Sequence, residues 1–64
     1  MMVNPYLRYD GLFCKVVVRN SNGTTSSYKG VVSINGDSDI NVEGDIKQAT
    51  LNICVIDSIT YLKI

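Results

Sequence analysis

Asp37, Asp39, Asn41, Glu43 and Asp45 place an oxygen-bearing side chain at every second position of a short stretch. That alternation is the start of a calcium-loop pattern. An EF-hand also needs glycine at its sixth position and glutamate at its twelfth. Counted from Asp37, these positions hold Val42 and Gln48. Asp37 with Asp39 or Glu43 would make a carboxylate pair for acid–base work. A turn offers such a pair little burial, and burial is what shifts a carboxyl pKa. Two plainer readings fit the same residues: Asp and Asn satisfying turn backbone, and an acidic patch for a basic protein partner.

The other reactive groups are thiols. Cys14 and Cys54 stand in a chain with no histidine. Neither has an imidazole to activate it as a nucleophile, and two cysteines fall short of the four ligands of a structural zinc site. Free, packed thiols are expected. No catalytic constellation and no cofactor or metal site emerges, so the expectation is a non-enzymatic protein.

Charge is balanced overall and uneven along the chain. Residues 1–32 carry +3 and residues 33–64 carry −3. A net charge of zero argues against strong non-specific nucleic-acid binding, which runs on phosphate neutralisation. The split allows one basic and one acidic surface, or simply scattered solvated charge. Tyr6, Tyr9, Phe13 and Tyr28 lie in the basic half near Arg8, Lys15 and Arg19. They form either a stacking and phosphate surface or ordinary packing with the tyrosine hydroxyls left wet.

Sixty-four residues support one small domain, marginal alone, since a chain of this length buries about 60% of its unfolded surface. Chains this short often need a disulfide, a metal or oligomerisation. The first two are disfavoured here, which leaves self-association. No apolar run approaches the roughly 18 residues of a membrane span, and the Met1-Met2-Val3-Asn4-Pro5 start lacks the pattern of a signal peptide. A cytoplasmic protein without membrane contact is expected.

The elements that position these groups are strands. Residues 1–11 read as a lead-in, with Asn4 before Pro5 able to cap a helical turn. Strands are predicted near 12–19, 24–34, 39–43, 50–56 and 59–64. Asn22-Gly23 and Asn35-Gly36 supply hairpin turns. Gly30 inside the second strand marks a bend or a close backbone approach. Five strands without a helical crossover predict an all-β fold: a strongly bent antiparallel SH3- or Sm-like small barrel. Closure of the last strand onto the first would remove an exposed edge.

The closing stretch stands apart. Leu51–Ile56 and Ile59–Ile64 are apolar on both faces and separated only by Asp57-Ser58. A strand with one wet face should alternate instead. Either these strands curl into a tightly closed barrel or another copy of the chain covers them, and the second is the expected route to a stable assembly. Its interface would use Leu51, Ile53, Cys54, Ile56, Ile59, Tyr61, Leu62 and Ile64.

Three spacings together resemble the Sm and Sm-like family. They are Tyr28-Lys29-Gly30-Val31-Val32, then Asp37-Ser38-Asp39-Ile40-Asn41-Val42, then the two closing apolar runs with Ile59-Thr60-Tyr61-Leu62. The resemblance covers residues 12–64 and implies a bent five-strand barrel, a ring of copies and RNA binding. It implies that Asn41 reads a base edge, that Asp37 holds Asn41, and that Asp39 takes the base-stacking position, with Tyr28 nearby. Asp57-Ser58 stands where the family carries Arg-Gly, so the base-clamping arginine is missing, and Asp39 is a carboxylate that cannot stack.

The function expected from all this is an Sm-like module that forms a homo-oligomeric ring and binds RNA or a nucleotide-like ligand. The alternative is a small phage or mobile-element interaction factor that uses the same barrel to engage a host protein without RNA.

Overall fold

β-branched and apolar residues at alternate positions lay out five strands: β1 (Phe13–Arg19), β2 (Thr25–Asn35), β3 (Asp39–Glu43), β4 (Gln48–Asn52) and β5 (Ile56–Tyr61). The computed structural model describes residues 3–62. All four pairings are antiparallel, and the sheet order is β4-β3-β2-β1-β5. No helix among the described residues is long and apolar enough to cross a membrane.

The core follows the strand period. Cys14, Val16 and Val18 of β1, Val32 of β2, Ile40 and Val42 of β3, Leu51 of β4 and Ile56 of β5 are buried together. Tyr28, Ile34, Ala49, Ile53 and Ile59 pack around them. The other face carries Lys15, Arg19, Lys29, Ser33 and Thr50, all exposed.

Two glycines shape the sheet. A Cβ on Gly30 would strike the Glu43 carbonyl and lie 2.8 Å from the Gly44 amide nitrogen. A Cβ on Gly44 would lie 2.9 Å from the Lys29 carbonyl oxygen. The β2 backbone therefore runs directly against the end of β3, and only hydrogen fits on either side. Of the bend or close backbone approach that the sequence places at Gly30, this contact is the close approach.

The last third differs from expectation. The run 50–56 is not one strand. β4 starts earlier, at Gln48, and ends at Asn52, and Ile53–Val55 form a 3₁₀ turn. The Asn52 side chain accepts from the Cys54 amide at 2.9 Å, and Ile53 N donates to the Ser38 carbonyl at 2.8 Å. Residues i and i+3 eclipse in a 3₁₀ turn, so Ile53 and Ile56 reach the same core while Cys54 and Val55 face solvent. Asp57-Ser58 is not a hairpin turn. Both residues lie in β5, which pairs with β1 rather than β4. Asp57 is the extra residue where the register shifts between Val17 and Val18.

β4 and β5 thus occupy opposite edges of the sheet, joined by three residues. In a flat five-stranded sheet the edges would stand ~19 Å apart. Four Cα steps span at most ~15 Å extended, and less when wound as 3₁₀. The short link therefore requires the sheet to curl.

At the other end, the lead-in folds as a 3₁₀ turn, Leu7–Tyr9. Asn4 is 4% exposed. Its Nδ2 donates to the carbonyls of Gly36 at 3.2 Å and Asp39 at 3.0 Å, and its Oδ1 accepts from Tyr6 N at 3.0 Å. The Asp10 carboxylate accepts from Ile34 N at 3.1 Å. The lead-in is bound to the β2–β3 turn by polar contacts rather than laid on loosely.

Replacing Gly30 with alanine should cost about 1–3 kcal/mol, the scale of overpacking where backbone has no room to yield. Urea denaturation measures it; a midpoint equal to wild type would refute the close approach.

Candidate binding turn and sheet edges

Asp39 and Asn41 alternate with buried Ile40 and Val42, so β3 turns both toward the outer face. Register sets Asn41 opposite Thr50, and Asp39 opposite Asn52. The side chains use that register. Thr50 Oγ1 donates to Asn41 Oδ1 at 2.8 Å, and Asn52 Nδ2 donates to Asp39 Oδ1 at 3.3 Å. Asn41 is therefore held by Thr50 of β4, not by Asp37, which lies on the exposed turn. Its amide nitrogen stays on the solvent side as a potential donor. Asp39 is bonded through both its carboxylate and its backbone carbonyl, which takes Asn4. That makes it a structural junction between the lead-in, β3 and β4.

Tyr28 does not join this group. It shares the inward face of β2 with Gly30 and Val32, while Ser33, the partner of Asn41, is on the outward face. Lys47 Nζ lies 5.5 Å from the Tyr28 ring centroid, so the β3–β4 loop closes over the aromatic by a cation–π contact. Among the described residues no three His, Cys, Asp or Glu side chains converge on a possible metal position, and no pocket opens.

The expected interface residues divide. Leu51 and Ile56 are 8% and 6% exposed and belong to this chain's own core, because their positions in β4 and β5 point inward. Ile53 and Ile59 pack against that core. Cys54 and Tyr61 are exposed, Leu62 is half-buried, and Ile64 lies outside the described residues. The two-sided apolarity of this stretch is thus used mostly within the chain, through the 3₁₀ turn.

What remains open is backbone. β4 bonds only to β3, and β5 only to β1. Natural edges are usually blunted with lysine, proline or inward charge. β4 reads Gln48-Ala49-Thr50-Leu51-Asn52, with no charge and no proline. β5 has a single charge at Asp57, in its bulge, followed by Ser58-Ile59-Thr60-Tyr61.

Arg19, one of the cations of the basic half of the sequence, has specific partners. Its Nη1 donates to Asp57 Oδ1 at 2.9 Å and its Nη2 to the Cys54 carbonyl at 3.2 Å. It clips the β4–β5 link to the end of β1. Both partners are about half exposed, so the ion pair itself contributes ~1 kcal/mol at most.

The thiols differ. Burial pushes the Cys14 pKa up, whereas Cys54 is exposed. Comparison with protein-family models, curated proteins and solved structures returns no match for this chain.

A thiol reagent attacks the thiolate. Near pH 8 a disulfide reagent should label Cys54 promptly and Cys14 only after denaturant is added. Equal labelling rates in the folded protein would contradict the burial of Cys14.

Proposed function

We propose that the chain is a non-enzymatic, cytoplasmic, Sm-like binding module. Its curled sheet acts as a small SH3- or Sm-like barrel, and copies join by pairing the β4 edge of one with the β5 edge of the next. The observation that carries this reading is the pair of open, nearly uncharged edges at the two ends of one sheet. Such an edge presents unpaired amides and carbonyls that another strand can satisfy. A β4-to-β5 contact is head-to-tail, and repetition closes a ring when the rotation between copies allows.

RNA or a nucleotide-like molecule is the ligand in this reading. Asn41 supports it with a free amide donor on an outward face, its carbonyl already held by Thr50. Asp37, Asp39 and Glu43 beside it would repel a phosphate, so contacts at this turn are to a base edge rather than to the backbone.

Sedimentation at micromolar concentration tests the assembly. A species several times the 7.0 kDa chain mass is expected, and Thr50→Lys or Thr60→Lys should shift it toward monomer by placing charge on an edge. A wild-type protein that sediments only as monomer overturns the reading. A monomer that co-purifies with a basic protein and ignores RNA would identify a host-interaction factor instead.

A further inference from the structure

The β1–β2 register sets Lys15 directly opposite Lys29, and both are exposed. Cα atoms so paired lie ~4.5–5.5 Å apart. Like charges directly opposite each other destabilise a sheet. Neither lysine has a carboxylate within ion-pair distance among the described residues; the one ion pair there is Arg19–Asp57. The fold therefore carries an uncompensated repulsion that a single Lys→Glu exchange would convert to attraction.

The surroundings indicate what relieves it. The β1–β5 register places Thr60 beside Lys15, giving a row Thr60–Lys15–Lys29 across three strands. On one side runs the row Ser58–Val17–Ser27, which adds two hydroxyls. On the other side Phe13, half-buried, is paired with Val31, which is 45% exposed and has the exposed Glu43 of β3 on its far side, so that this row can face a base but not a phosphate. Paired ammonium groups and hydroxyls suit phosphate oxygens. A flat apolar and aromatic row one residue pair away suits a base.

We infer that the outer face of β5-β1-β2 binds the phosphate backbone of single-stranded nucleic acid across Lys15 and Lys29, with a base against Phe13 and Val31. This rests on the reading of the chain as a nucleic-acid module. It moves the backbone contact away from the acidic β2–β3 turn, whose charge excludes it.

Fluorescence anisotropy with labelled single-stranded U-rich and A-rich RNA and the DNA equivalents, over a salt series, tests the inference. Binding should weaken with salt, and the log–log slope should shrink by about 0.7 for each of Lys15→Gln and Lys29→Gln. Lys47→Gln, set over Tyr28, should leave the slope unchanged. Lys15→Glu should raise the melting temperature by pairing with Lys29 while binding is lost, a combination that misfolding cannot produce. The inference is overturned if both glutamine variants keep the wild-type slope, if Lys47→Gln costs as much, or if polyglutamate competes as well as RNA, which would point to an acidic protein. Oligonucleotide binding that depends on Asn41 alone would overturn this face and leave the module reading intact. No binding at low salt would remove both, while ring formation is judged separately by sedimentation.

Discussion

At Gly30 and Gly44 two backbones approach until a methyl group on either would collide with a carbonyl of the other. Much of the structure follows from that contact. It lies where β2 changes partner, its first half pairing with β1 and its second half with β3. With Val16 on one side and Ile40 on the other fully buried, a chain of this length gains an interior that a flat sheet would not give it. The three-residue link between the edge strands is a second consequence, since it can span them only because the sheet is curled.

Polar side chains then fix what the bend leaves loose. Asn4 joins the lead-in to the β2–β3 turn, Asn52 caps the 3₁₀ turn and reaches Asp39, and Arg19 holds the β4–β5 link against β1. Each bonds backbone groups at an element end, Asn4 from a buried position and Asn52 and Arg19 at the exposed Cys54. Small cores leave little apolar area, so these contacts matter more here than in a larger domain.

The sequence was most legible where a local rule decides the outcome. Alternation marks β1 and β3, Asn22-Gly23 and Asn35-Gly36 mark their turns, and an interior glycine marks the bend. It was least legible between Thr50 and Leu62. There the apolar run Leu51–Ile56 satisfies a strand pattern, but the i, i+3 spacing of Ile53 and Ile56 serves a 3₁₀ turn. Asn52 was the available signal, since asparagine commonly precedes such a turn. Asp57-Ser58 resembles a hairpin turn only until Arg19 is seen to draw Asp57 into a bulge. Of the candidate ligand site, the outward placement of Asp39 and Asn41 could be read from alternation. Their partners Thr50 and Asn52 could not, because those depend on where β4 begins. The facing of Lys15 and Lys29 likewise depends on the exact register across the first hairpin.

β4 and β5 are the edges of the sheet within one chain, and the proposed assembly makes them partners between chains. Amide hydrogen exchange at two protein concentrations tests this most directly. Amides within Gln48–Asn52 and Ser58–Tyr61 should gain protection as concentration rises, while β1, paired on both sides from Cys14 to Val18, is protected throughout. Edge amides that exchange equally fast at both concentrations, across the range in which copies would meet, would contradict it.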